Sequence, residues 1–476
     1  MKINKYVKCA IVIVPSILLI FAILIRLYAE HTYREATNAV SNATNVNDYK
    51  IAADLYGNIY FFKDSTKKKN DTEELAKKAE ANIEKAAQNQ TTYEEAIGLF
   101  ESGAYSKAME LFLSLGEYKD SKSYTEQCQA AMDRVKRNAY QQAIEAYSNG
   151  SYFEAIVQFE VLEDYGNSQD YIEKCYDGLR KAYSTTFSAG SLYSIGIGTE
   201  NLLVAGDCEY GQNKLEWNNL ISVSAGGFYT IGLYEGGSAI IAGDMDWRID
   251  NLRPWEHVLQ VTSGFDFAAV LLENGQVEVQ GNDEPPDYTS GEFMDYQNWK
   301  DIVQIDAGYH LLAGLSRSGK IFVTGKSSPR IRQELAENPE KWENVVAIAV
   351  GGDSIHDGFI AGLKADGKVV TAGFDERGID QAENWSNIKM ISAADYHLVG
   401  IDEYGTPVAV MNHVEERDGK GDQACCEFED WDKVKIVAVE AGNGTTLGMA
   451  EDGTIYASGY NVQRQRPKNK EWTVVH

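Results

Sequence analysis

The sequence has few of the residues that carry catalysis or metal binding. Its seven histidines are His31, His257, His310, His356, His397, His413 and His476, and none pair at metal-ligand spacing. The six cysteines, Cys9, Cys128, Cys175, Cys208, Cys425 and Cys426, form no CxxC pair. That excludes a zinc ribbon or thioredoxin-like signature, and six are too few to staple a chain of 476 residues. No P-loop, HExxH, Rossmann glycine pattern or GxSxG elbow occurs. Ser316-Arg-Ser-Gly319-Lys320 is like a fragment of a phosphate loop but falls at a hairpin turn. No cofactor, metal or catalytic set is expected, and the chain does not read as an enzyme. Paired carboxylates brought together in a cavity of the folded chain are the one arrangement that would reopen that question.

Basic residues are also scarce: 44 Lys and Arg face 71 Asp and Glu, a net charge of -27. This excludes nucleic acid, whose phosphates require cations, and broad contact with an anionic membrane surface. The acidic surface is either simply solvated or a face for a basic partner.

Long apolar runs number one. Cys9 to Ile25 (CAIVIVPSILLIFAILI) carries no charge and is bracketed by Lys8 and Arg26. Roughly 17–25 apolar residues cross a bilayer. Lys2, Lys5 and Lys8 precede the run and only Arg26 follows closely. The N-terminus is therefore expected in the cytoplasm and everything after Leu27 outside, in keeping with a bacterial cell surface. A cleaved signal peptide has a shorter core and a small-residue site, which Arg26-Leu27-Tyr28-Ala29 does not supply. The expected divisions are a tail (residues 1–8), a transmembrane helix (9–28), a stalk with one helix (29–90), helical repeats (91–180) and a β-domain (186–476). Within the stalk, Gly57–Phe62 (GNIYFF) reads as a short strand.

The helical repeat occurs twice. Tyr93-Glu-Glu-Ala96-Ile97 returns 47 residues later as Tyr140-Gln-Gln-Ala143-Ile144. The same offset relates Gly103 to Gly150, Ala108 to Ala155, Phe112 to Phe159, Tyr124 to Tyr171 and Cys128 to Cys175. Apolar residues fall at helical spacing, and Gly103 is expected to end the first helix. Cys128 and Cys175 are expected to be buried thiols. The pattern resembles tetratricopeptide-type (TPR-like) repeats, with a third helix per unit near 121–128 and 168–179. Two such units are fewer than the three a solenoid needs.

The remainder repeats with a tryptophan register: Trp217, Trp255, Trp299, Trp342, Trp385, Trp431 and Trp472. Each of the first six precedes an apolar strand, then a small-residue turn such as Ser263-Gly264 or Ala307-Gly308, and then a second strand such as Ala313-Gly-Leu315. A Gly-containing turn follows, for example Asn274-Gly275 or Asp366-Gly367, and Asn-Gly and Asp-Gly are hairpin signals. A last strand closes on Gly281, Gly325, Gly373 or Gly459. No such unit buries both faces alone, so a ring of them, a β-propeller, is expected. The first unit, Ser188 to Gly206, lacks a tryptophan strand, and Trp472-Thr-Val-Val-His476 is a tryptophan strand with nothing after it. The C-terminal strand is therefore expected to complete the first blade. The fold class is multidomain: a transmembrane helix, a TPR-like pair and an all-β seven-bladed propeller closed by the C-terminal strand.

These repeats resemble the chromosome-condensation-regulator (RCC1-type) repeat, whose trailing motif stands here as Gly206-Asp-Cys-Glu-Tyr-Gly211-Gln212. The resemblance implies the propeller fold. Founding members are nuclear exchange factors that bind chromatin, roles that acidity and topology speak against here. Other members bind partner enzymes through the propeller face, and some propellers bind sugars. A protein partner is therefore expected, with cell-wall glycan as the alternative and the membrane met through one helix. His397 stands where such repeats often hold a histidine, a structural position. The expected binding residues lie in inter-blade loops: Asp246, Trp247 and Arg248, with Arg330, Arg377 and Arg417 in charged loops. Trp247 reads as an interface or sugar-stacking residue, or as a loop residue tucked against a blade. The long stretches Asp283–Gln297 and Ser327–Lys341 read as loops. Cys425-Cys426 reads as a reduced pair, the alternative being a vicinal disulfide.

Overall fold

The computed structural model describes residues 5–243, 253–281, 295–325, 328–352, 358–373, 378–411, 425–428, 431, 433–459, 466–468 and 471–475. The chain divides into two compact units, Met1–Ala139 and Tyr140–His476.

The first unit is helical. Helix α1 (Lys5–Ser41) holds the apolar run. From Val14 on it is long and apolar enough to cross a membrane, by length and composition, and a signal sequence has the same features. Ile17, Leu18, Phe21 and Leu24 are exposed along it, whereas Ala29, Thr32 and Ala36 further along the same helix are buried. The expected one-helix stalk is instead two helices, α2 (Val46–Asn58) and α3 (Ser65–Glu101). Asn45 and Asp48 form a capping box at the start of α2, which satisfies two otherwise orphaned amides. The strand expected over Gly57–Phe62 is the end of α2 and the turn after it. Ala52, Ala53 and Tyr56 are buried at helical spacing, and Ile59 seals the turn. The segment therefore already buries its apolar groups as a helix.

The segment is in fact a further copy of the helical unit. Tyr33 packs edge-on to Tyr56 at 5.5 Å, as Tyr93 does to Phe112 at 5.9 Å after α4 (Tyr105–Leu115) is added, and as Tyr140 does to Phe159 at 5.7 Å. The last copy is built from α5 (Ser121–Ser148), α6 (Tyr152–Leu162) and α7 (Ser168–Tyr183). The Tyr33 hydroxyl donates to Asp64 at 2.6 Å, and Tyr93 donates to Asp120. These bonds to a carboxylate, with some burial, push both phenols up to about 12. Lys63 and Lys119 each sit 4.7 Å from the centre of the corresponding tyrosine ring. Ser65, Ser121 and Ser168 are buried, and each donates 2.6 Å back to a carbonyl three residues earlier. Two insertions hide the copy from a fixed-period comparison. Ala36 to Ala52 spans 16 residues where Ala96 to Ala108 spans 12, and Ser65 to Tyr93 spans 28 where Ser121 to Tyr140 spans 19. Cys128 and Cys175 are free and buried, and Gly103 follows α3 at φ 83°.

Among the described residues, the second unit contains seven three-stranded antiparallel sheets. Their first strands are Phe187–Ala189, Leu220–Ala225, Val258–Ser263, Ile302–Ala307, Val345–Gly351, Ile388–Ala394 and Ile436–Gly442, here taken as sheets 1 to 7. Each first strand neighbours that of the next sheet, and the first strand of sheet 7 neighbours that of sheet 1. The arrangement is consistent with a seven-bladed propeller.

A glycine in the second strand of most sheets makes room for the register tryptophan. A Cβ at Gly448 would lie 2.4 Å from the Trp431 ring, and one at Gly362 would lie 2.8 Å from Trp342. Trp299 and Trp385 stand likewise over Gly314 and Gly400. Sheet 2 departs from the pattern: Leu215 and Leu220 cover Gly232, and Trp217 is 40% exposed. Leu215 arrives two residues earlier and fills the space, so Trp217 is not a packing residue as the register suggested.

Residues near the C-terminus touch both ends of the series. Thr473 bridges Thr454 in sheet 7, and Val474 bridges Gly198 at the end of the second strand of sheet 1. Trp472 and Val474 lie over Gly196 of sheet 1 and share a core with Phe187, Leu447 and Ile455. Trp472→Ala is expected to lower unfolding free energy by about 3–5 kcal/mol, measured by urea denaturation. Loss of residues 472–476 is expected to cost more.

Candidate functional site

The first strands line a cavity of about 270 Å3. Strand register sets which residues face it. Ser188, Ser224, Thr262, Asp306, Ala349, Ser392 and Glu440 occupy equivalent positions, each opposite the residue before the central glycine or its counterpart in the second strand. All but Ala349 line the cavity.

These side chains link one sheet to the next. Each first strand has one edge paired with its own sheet and one edge turned to the axis, where its N–H groups lack a strand partner. Ser188 Oγ accepts from the Ala225 amide at 3.0 Å, and Ser392 Oγ accepts from Ala441 at 3.0 Å. Gln260 Oε1 accepts from Ile305 at 2.9 Å, and Gln304 Oε1 accepts from Ile348 at 2.9 Å. Asp306 Oδ2 accepts from Val350 at 2.7 Å, and its Oδ1 receives the Thr262 hydroxyl at 3.3 Å. Ser224 and Ser263 share a hydrogen bond of 2.7 Å.

Three carboxyls line the cavity, Asp306, Asp395 and Glu440, and Asp306 and Glu440, on sheets 4 and 7, are half-buried. Burial pushes Asp306 up to about 7, against the Val350, Ala307 and Thr262 hydrogen bonds that favour its charge. Burial, and then the Asp306 charge, push Glu440 up to about 8, with a Ser392 hydrogen bond opposing. Asp306 and Glu440 line the same cavity from different sheets, and Asp306 is engaged in holding sheet 5.

One end of the cavity carries an aromatic arc. In sheets 2 to 4 a ring follows the glycine that ends the first strand: Phe228 after Gly226-Gly227, Phe265 after Gly264, and Tyr309 after Gly308. Phe265 stacks on Tyr309 with centroids 4.3 Å apart, Phe228 meets Phe265 edge-on at 5.7 Å, and Tyr210 meets Phe228 at 4.9 Å. Tyr210 is exposed, and the other three rings are half-buried. The turns are bonded to one another: Gly227 donates to the Phe265 carbonyl at 3.0 Å, and Phe265 to that of Tyr309 at 3.2 Å. His310 lies 3.6 Å from Asp266 on the same rim. The sequence signal for the arc, an aromatic directly after the turn glycine, was present but passed over in favour of the longer loops.

The other end is lined by Ala182, Tyr183, Ser184 and Thr185, at the close of α7. Thr185 donates to Ser222 Oγ at 2.9 Å and accepts from Val223 at 2.8 Å. Arg180 of α7 is 3% exposed; it donates to the Val258 carbonyl at 3.0 Å and pairs with Asp177 at 2.8 Å and with Glu273. This buried ion network fixes the helix to sheet 3.

Of the expected binding residues, Asp246, Trp247, Arg248, Arg377 and Arg417 lie outside the described residues. Arg330 stands on α8 (Ser328–Glu337), a helix where a loop was expected, and its Nε is 3.0 Å from Glu334. Burial of Ile331 against sheets 4 and 5 makes that segment helical. Gly243 and Gly325 lie against the carbonyls of Phe228 and His310, at the aromatic end. His397 is fully buried, its Nε2 2.9 Å from Thr446 Oγ1; burial pulls it down to about 4. The Cys425 and Cys426 sulfurs are 3.7 Å apart and unbonded.

No family model and no curated protein matches the chain. Among solved structures it is similar to the CRINKLY WD40 ectodomain of the Arabidopsis thaliana receptor kinase ACR4, at 13% identity over 60% of this chain and 98% of that one, with a TM-score of 0.43. The ectodomain of the Physcomitrella patens receptor kinase CR4 is similar at 13% identity, 58% and 73% coverage and a TM-score of 0.44. Yeast RCC1 (Prp20), solved bound to Kap60, is similar at 15% identity, 62% and 87% coverage and a TM-score of 0.41. These are likenesses of fold alone.

Both carboxyls titrate above the roughly 4 of an unfolded chain. The folded protein thus keeps protons that the unfolded chain releases, and stability falls as pH rises from about 4 towards 7–8. Glu440→Gln removes its share. At pH 8.5 the variant is expected to be more stable than the parent by about 1–3 kcal/mol, with little difference at pH 4.5. Urea denaturation at both pH values checks this.

Proposed function

We propose that this chain is a membrane-anchored binding or scaffold protein that recognises a protein partner through the aromatic end of its propeller. On this reading α1 is an uncleaved anchor, its N-terminus is cytoplasmic and the remainder is extracytoplasmic, on a bacterial cell surface. The β-repeats are RCC1-type, the ring is closed by the C-terminal strand, and the helical units are TPR-like. The chain acts by binding and not by catalysis. The presence of a third copy of the helical unit favours this reading, because about three copies is what a repeat array needs.

One observation carries the proposal. Four aromatic rings lie side by side, three of them, Phe228, Phe265 and Tyr309, on turns that are hydrogen-bonded sheet to sheet. Rigid, half-exposed aromatics are what an interface anchor requires, since little conformational freedom is lost on binding.

The test is quantitative capture with the full chain in detergent, against membrane and secreted proteins of the source cell, with purified wall glycan in parallel. A specific protein is expected whose capture falls at least tenfold in the Phe265→Ala, Tyr309→Ala double variant, while unfolding temperature is kept. Retention on glycan with the same aromatic dependence would replace the protein partner by a sugar. Capture indifferent to the variant would remove the face from the account.

A further inference from the structure

The chemistry of the mouth says what kind of segment it would accept. Among the described residues, those lining the cavity include Asp306, Asp395 and Glu440 and no Lys or Arg. The described turns around the mouth, from Ser191 to Asn443, likewise carry no Lys or Arg, and their one histidine, His310, faces Asp266. The aromatic arc supplies apolar ring surface directly above these carboxyls, with Phe265 and Tyr309 both in the cavity wall. The cavity, at about 270 Å3, lies below the roughly 300–1,000 Å3 that enclose a free small molecule. It suits one long side chain delivered from outside.

Resting on the binding-face reading above, we propose that the mouth takes a basic segment of a protein partner, with one Lys or Arg side chain entering the cavity towards Glu440 and Asp306. The apolar stem of that side chain lies along Phe265 and Tyr309, which suits long cationic side chains, and the cationic head gains from the ring faces on the way in. Inside, Glu440 has the greater free capacity. It receives the Ser392 hydroxyl, whereas Asp306 already receives Val350, Ala307 and Thr262. The net charge of -27 gives the attraction its range, and such attraction acts mainly on the rate of encounter and on partner choice. Cation entry favours the ionised carboxyls and so releases protons, which ties affinity to pH. The titratable groups in the described wall are Asp306, Asp395, Glu440, Tyr183 and Tyr309, and the rim adds Asp266 and His310. Affinity is therefore expected to rise between pH 6 and pH 8.5.

The probes are two fluorescent dodecapeptides of equal Phe and Gly content, one with four Lys or Arg and one with four Glu at the same positions. Anisotropy is measured against the full chain in neutral detergent. The basic peptide is expected to bind at least tenfold more tightly than the acidic one, and to weaken at least tenfold from 50 to 500 mM salt. The Asp306→Asn, Glu440→Gln double variant is expected to weaken it at least tenfold, and Glu440→Asp, which keeps the charge, less than threefold. Urea denaturation of each variant separates lost binding from lost fold. Equal affinity for both peptides, no binding of the basic one, or indifference to the double variant would overturn the proposal. If a captured partner depends on Phe265 and Tyr309 yet ignores salt and the carboxyl variants, the basic segment is wrong and the binding face stands. If it ignores the aromatics as well, the face falls too.

Discussion

A three-stranded sheet leaves an edge, and the second unit has seven of them turned towards one axis. Unpaired N–H groups on a sheltered edge cost about 1–3 kcal/mol each if nothing receives them. Here they are received by side chains of the preceding sheet: Ser188, Gln260, Gln304, Asp306 and Ser392 accept the amides of Ala225, Ile305, Ile348, Val350 and Ala441. This constraint explains why the axis is polar although the sheets are apolar between their faces. It also explains why a carboxyl, Asp306, is held there, its pKa raised by burial in spite of those bonds. The turns above inherit their spacing from the same contacts, and the aromatic arc follows from that spacing.

The packing between sheets obeys a second, steric rule. A large ring from one strand lies on a glycine of the next, and the clearance at Gly448 and Gly362 admits no Cβ. Sheet 2 keeps the gap at Gly232 but fills it with Leu215 and Leu220 in place of a ring. The helical unit follows a similar logic with different parts. One tyrosine per copy meets an aromatic of the second helix, and in the first two copies its hydroxyl ends on the Asp of a Lys-Asp-Ser turn.

Much of this was legible in the sequence because it is periodic. The closing strands at Val277–Gly281, Ile321–Gly325, Val369–Gly373 and Ile455–Gly459 stand where the turn glycines put them. What was missed breaks the period. The first helical copy carries a longer inter-helix turn and a longer third helix, so no single offset aligns Tyr33, Tyr56 and Ser65 with their counterparts. Residues 328–337 looked like a charged loop because one buried residue, Ile331, is enough to seat α8 and leaves no apolar stripe to read. The arc formed by Phe228, Phe265 and Tyr309 shows as three scattered aromatics until register brings the turns together. The pairing of Asp306 with Glu440 is likewise invisible at a separation of 134 residues.

The central claim is that side-chain acceptors at the axis tie sheet 1 to 2, 3 to 4, 4 to 5 and 6 to 7 so that these sheets open together. Amide hydrogen exchange of Ala225, Ile305, Ile348, Val350 and Ala441 tests it most directly. The account expects these amides to exchange only through global unfolding, as slowly as those inside the strand pairs and with the same denaturant dependence. Exchange at the rate of the exposed hairpin turns would mean that the axial bonds open freely and that the sheets are held by face packing alone.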